Sequence, residues 1–136
     1  MIKFTDDLMK KSLAGFGEDY RYPVYASIDC RNSFFRSYNT KAGFVAVTDT
    51  GKLLVSEYYV LGTEKKYILP LQNLEKIKIK KFPLFPIYNI KAVFIADGKK
   101  FRLAMAVSLK VYGHEFPEQA ENTVKLVSIF QNFLKR

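Results

Sequence analysis

The chain holds one cysteine, Cys30, as a candidate thiol nucleophile and one histidine, His114, as a candidate base or metal ligand. A nucleophilic thiol needs a base beside it, and a zinc cage needs about four nitrogen, sulfur or carboxylate ligands. One cysteine and one histidine give no ligand spacing for zinc; sequence distance does not bar Cys30 from meeting His114 as its base, but Cys30, at the end of a predicted strand, reads better as a small apolar residue. Acids occur together at Asp6-Asp7, at Glu18-Asp19 and as Glu118 with Glu121, which are helix-end and surface positions. Gly15-Phe16-Gly17 lacks the third glycine and the preceding strand of a dinucleotide loop, and a P-loop lysine is missing. These residues predict a binding or assembly module rather than an enzyme, with no cofactor and no metal.

The remaining chemistry is charge. The 136 residues hold 22 Lys and Arg against 13 Asp and Glu, a net charge of +9, which favours anionic partners: lipid headgroups, nucleic acid or acidic proteins. The charge is most ordered in Glu75-Lys76-Ile77-Lys78-Ile79-Lys80-Lys81-Phe82-Pro83-Leu84-Phe85-Pro86. On a strand, alternate side chains share a face, so Lys76, Lys78 and Lys80 project to solvent while Ile77 and Ile79 enter the core. The row runs through Lys81 into an apolar loop held extended by two prolines, with Phe82 and Phe85 as its rings. Lysines beside exposed aromatics suit an anionic membrane surface. The same alternation also marks an edge strand protected against aggregation, with Phe82, Leu84 and Phe85 packed beneath the sheet, or a protein contact.

Tyr20, Tyr22, Tyr25, Phe34, Phe35, Tyr38, Tyr58 and Tyr59 raise single-stranded nucleic acid as a further anion. Their spacing is that of a sheet core, and no RNP-like or cold-shock signature accompanies them, so nucleic acid is the least favoured partner.

The elements that must position these groups follow from periodicity. Thr5 as N-cap, Asp6 and Asp7 in the first turn, and Leu8, Met9, Leu13 and Phe16 on one face predict a helix over 5–17. Period-two patterning then predicts strands at about 22–30, 43–48, 52–60, 66–69, 74–82, 87–96 and 100–109. Asp97-Gly98 suits a tight hairpin, and Asp49-Thr50-Gly51 a three-residue loop with a bulge. From Pro117 the period becomes helical again, with Ala120, Val124, Val127, Phe130 and Leu134 as an apolar stripe widened by Leu126, Ile129 and Phe133.

Seven antiparallel strands closed by one amphipathic helix is the element order of the pleckstrin-homology superfold. Gly43-Phe44-Val45-Ala46-Val47-Thr48-Asp49, Lys52-Leu53-Leu54-Val55-Ser56 and Tyr67-Ile68-Leu69-Pro70-Leu71-Gln72-Asn73-Leu74-Glu75-Lys76-Ile77 resemble the GRAM-type and bacterial PH-like pattern, with leucine at both isoleucine positions flanking Pro70. The resemblance spans about residues 22–136 and leaves 1–21 as an N-terminal helical extension. It implies a mainly β fold, a partly open seven-stranded barrel capped by the C-terminal helix, in a family whose members bind phosphoinositides, proteins or one another. Lipid-binding members place basic residues at the end of the first strand and in alternation on the second. This chain offers Arg31, Arg36 and Lys41 there, without an alternating basic pair around Arg36.

Apolar text at Tyr58-Tyr59-Val60-Leu61 and from Phe82 to Ile87 exceeds what a small barrel and one helix cover, which predicts self-association or another protein partner. No apolar run reaches the roughly 20 residues of a membrane span, and the first residues lack the apolar stretch of a secretory signal. The expected location is the cytoplasm, with peripheral attachment to a membrane as the variant that the lysine row suggests.

Overall fold

The computed structural model describes residues 3–31, 41–59, 64–84, 86–110 and 116–134. Thr5 caps the first helix, α1 (Asp6–Ala14), its hydroxyl accepting from the Leu8 N–H at 3.1 Å. Seven strands follow: β1 (Tyr20–Arg31), β2 (Lys41–Thr48), β3 (Lys52–Tyr58), β4 (Glu64–Pro70), β5 (Leu74–Lys81), β6 (Ile87–Ala96) and β7 (Lys99–Ser108). A 3-10 turn, Leu71–Asn73, joins β4 to β5, and α2 (Gln119–Leu134) closes the chain. The fold is thus mainly β, with a short helix before the strands and a longer one after them. Asp97 and Gly98 take φ of 53° and 75°, the two left-handed conformations that a two-residue hairpin requires.

All pairings are antiparallel in one sheet of order β4-β3-β2-β1-β7-β6-β5, which leaves β4 and β5 as its two edges. The sheet curls on itself: the ring of Tyr67 on β4 lies 5.2 Å from that of Phe101 on β7, although three strands separate them in the sheet. The inner face carries one core that includes Val24, Ile28, Val45, Val55, Ile90, Leu103 and Met105, sealed by Leu126, Val127 and Phe130 of α2.

The helical stripe differs from expectation in its first half. Ala120 is exposed and Val124 is 51% exposed, while Gln119, Asn122 and Thr123 are buried in line with Leu126, Val127 and Phe130. The reason lies in β1, whose register shifts between Arg21 and Val24, where Tyr22 takes φ of 57° and Pro23 has no N–H. Backbone groups there, and those of Tyr25 and Ser108 just beyond Ser27 and Ala106 where the β1–β7 pairing ends, meet the first turns of α2. The Gln119 side-chain carbonyl accepts from the Tyr25 N–H at 3.0 Å, and its amide donates to the Tyr25 carbonyl at 2.8 Å and the Ser108 carbonyl at 2.9 Å. The Asn122 amide donates to the Pro23 carbonyl at 3.0 Å. Polar residues occupy buried positions because they complete a strand's hydrogen bonding. The helix also begins two residues after Pro117, whose neighbour Phe116 is buried in the second core described next.

α1 lies on the outer face of the first strands, where Met9 and Leu13 join Phe44, Ala46, Leu54 and Phe116 in that second core. The ring of Phe44 sits 5.9 Å from Phe4 and from Tyr58, and 6.0 Å from Tyr25. β3 is consequently buried on both faces from Leu53 to Glu57. Tyr58, part of the apolar text that suggested a partner protein, is covered within the chain.

A hydroxyl network fastens α1. Ser12 and Ser56, their hydroxyl oxygens 2.7 Å apart, both donate to the Glu64 carboxylate, and Tyr58 donates to Ser12 at 3.1 Å. Burial pushes the Glu64 carboxyl up, but the hydrogen bonds from Ser12, Ser56 and Tyr58 with Lys66 nearby outweigh it, so the group titrates below the usual carboxylate range. A carboxyl whose folded-state value is depressed stabilises the fold above its unfolded value and loses that contribution as pH falls through the folded one. Glu64→Gln is therefore expected to flatten the loss of stability on acidification below about pH 4.5. Urea unfolding at neutral and acid pH checks this.

Candidate anionic-surface site

The lysine row is carried by β5, an edge of the sheet. Lys76, Lys78, Lys80 and Lys81 are exposed, while Ile77 and Ile79 are half-buried against the core, as alternation on a strand requires. In antiparallel pairing, directly opposed residues share a face, so register extends the row across the neighbouring strands. Ile77 faces Ala92 and Ala92 faces Leu103, all inward; Lys78 faces Lys91 and Lys91 faces Ala104, all outward. The next outward rank joins Lys76 and Val93 to Arg102, and beyond it Ile95 stands opposite Lys100. Lys91, Lys100 and Arg102 are exposed. The outer face of β5–β6–β7 is thus a plate of cations around Val93, Ile95, Ala104 and Ala106, with strands about 4.8 Å apart.

Four cations elsewhere sit on carboxylates: Lys10 on Asp6 at 3.0 Å, Arg21 on Asp49 at 2.7 Å, Lys52 on Glu18 at 2.8 Å and Lys125 on Glu121 at 2.9 Å. Among the described residues, no carboxylate pairs with Lys76, Lys78, Lys80, Lys91, Lys100 or Arg102. Lys78 and Lys91 even stand directly opposite each other, with Cα atoms about 5 Å apart and like charges that cost stability. Uncompensated positive charge on a rigid sheet offers an anion several cations with no internal competitor to displace.

The β5–β6 hairpin ends the plate. Phe82 is 38% and Leu84 is 87% exposed, and Pro83 and Pro86 are exposed with them, so these residues do not pack beneath the sheet. Lys81 sits 5.6 Å from the Tyr88 ring centroid, a cation–π contact at the foot of the hairpin.

The other predicted positions divide. Arg31 ends β1 in register with Arg102, and Lys41 opens β2 opposite Ile28. The side chains of Arg31, Lys41 and Cys30, and the whole of Arg36, Phe85 and His114, lie outside the described residues. Tyr20, Tyr25 and Tyr58 belong to the core under α1, and Tyr22 packs against the inner core with Lys125 5.4 Å from its ring centroid. Among the described residues no group of His, Cys, Asp and Glu suits a metal ion. The polar cleft between α1 and β1, lined by Glu18, Asp19, Arg21 and Asp49, has Glu18 and Asp49 engaged by Lys52 and Arg21.

Lys91 does not stand out in the sequence because its immediate neighbours are apolar, and Lys99-Lys100-Phe101-Arg102 reads as a short basic run after a turn with no visible link to the β5 lysines. The signal that finds them is the Asp97-Gly98 turn: a two-residue hairpin pairs Ala96 with Lys99 and hence Val93 with Arg102. No helix among the described residues is long and apolar enough to cross a membrane. Comparison with protein-family models, with curated proteins and with solved structures gives no match to this chain.

Proposed function

We propose that this chain is a non-enzymatic binding module of pleckstrin-homology-like architecture that docks an anionic surface against the outer face of β5–β6–β7. The observation that carries the reading is the outward convergence of Lys76, Lys78, Lys80, Lys91, Lys100 and Arg102 without a carboxylate partner among the described residues. Strand order and the closing helix support the architectural half. Comparing two variants of equal charge separates the position of the cations from net charge. Lys78→Ala with Lys91→Ala is expected to elute from immobilised heparin at clearly lower salt than the wild type. Lys10→Ala with Lys125→Ala, which removes the same charge from α1 and α2, is expected to elute close to the wild type. Equal shifts for both pairs would reduce the interaction to net charge and remove the plate as a site.

A second reading, self-association, is favoured by the other edge strand, β4, where Ile68 is 47% exposed. Light scattering at micromolar concentration decides it: a dimer mass that Ile68→Lys abolishes supports association through β4, and a monomer removes it.

A further inference from the structure

The hairpin between β5 and β6 points to which anion the plate meets. We propose that the partner is an anionic lipid bilayer and that the β5–β6 tip enters it, Leu84 foremost; this rests on the plate reading above. Phe82-Pro83-Leu84-Phe85-Pro86 has no charged or hydrophilic side chain, and Leu84, at 87% exposure, is the most exposed large apolar residue of the described chain. Nothing in the fold uses that leucine.

Several backbone donors at the tip are absent or paired. Pro83 and Pro86 have no N–H, the Phe82 N–H donates to the Ile87 carbonyl at 3.1 Å, and the Pro86 carbonyl accepts from the Leu109 N–H at 2.7 Å. An unpaired donor resists transfer out of water, and this tip has few to leave bare. Cations flank it where headgroups would lie: Lys80 and Lys81 end β5, and Lys110 follows Leu109, all three exposed. Their long side chains can reach phosphates while the tip sits deeper. A soluble polyanion would engage the plate equally well, but it would gain nothing from Leu84.

The sequence contains no tryptophan, so Leu84→Trp places one reporter at the tip. With vesicles of phosphatidylcholine and phosphatidylglycerol, its emission is expected to move to shorter wavelength and to be quenched by spin-labelled acyl chains; with heparin it is expected not to move. Leu84→Ser is expected to weaken vesicle binding about tenfold, from the loss of one buried leucine, and to leave heparin binding unchanged. Leu84 is exposed, so thermal melts of both variants should match the wild type. Vesicle binding without a blue shift, or binding to heparin or an oligonucleotide but not to vesicles, would overturn insertion. Loss of vesicle binding in Leu84→Ser while Lys78→Ala with Lys91→Ala retains full heparin binding would instead overturn the plate.

Discussion

Lys78→Glu is expected to stabilise the fold while weakening its hold on an anionic surface. The substitution turns the like-charged pair with Lys91 into a pair of opposite charge directly across two strands, a gain of about 0.5 kcal/mol in urea unfolding. It also replaces an attraction of about 1 kcal/mol by a comparable repulsion, which lowers vesicle affinity by about thirtyfold at low salt. Adding Lys91→Glu restores the like-charge opposition, so the stability gain disappears, while the affinity loss grows to about a thousandfold. The opposite signs separate the two interpretations of this strand. Were the lysines present only to keep an edge soluble, stability would respond and binding would have nothing to lose.

Gln119→Leu is expected to cost about 3–5 kcal/mol, a large part of the stability of a domain this size. Leucine fills a similar volume but cannot accept from the Tyr25 N–H or donate to the carbonyls of Tyr25 and Ser108, and the site is only 3% exposed, so water cannot take over. Ser128→Ala, on the exposed side of the same helix, should lie within about 0.5 kcal/mol of the wild type. Urea unfolding of the two variants compares them. A small effect at Gln119 would mean that α2 is held by apolar packing alone and that the backbone groups of Tyr25 and Ser108 find other partners.

The strands were legible because the inner core is made of residues alternating at period two, and because Asp97-Gly98 and Thr5 announce a hairpin and a helix start by their own chemistry. Lys76, Lys78 and Lys80 were legible for the same reason, since on an edge strand Ile77 and Ile79 define the inner face. Two features resisted reading. β3 shows five consecutive buried residues instead of alternation, because α1 covers its second face, and no local pattern in β3 says which segment will do so. The stripe of α2 differs in phase because Gln119, Asn122 and Thr123 are polar by type yet buried: Gln119 and Asn122 bond strand backbone at Tyr25, Ser108 and Pro23, and Thr123 donates to the Gln119 carbonyl. The plate became visible only when register joined one lysine row to residues of β6 and β7, each unremarkable alone.

That three-strand plate is tested most directly by lysine acetylation read by mass spectrometry, with and without vesicles containing phosphatidylglycerol. Docking through the outer face of β5–β6–β7 predicts that Lys76, Lys78, Lys80 and Lys91 become protected while Lys10, Lys52 and Lys125 react as before. Uniform protection of all seven, or protection confined to Lys10, Lys52 and Lys125, would contradict it.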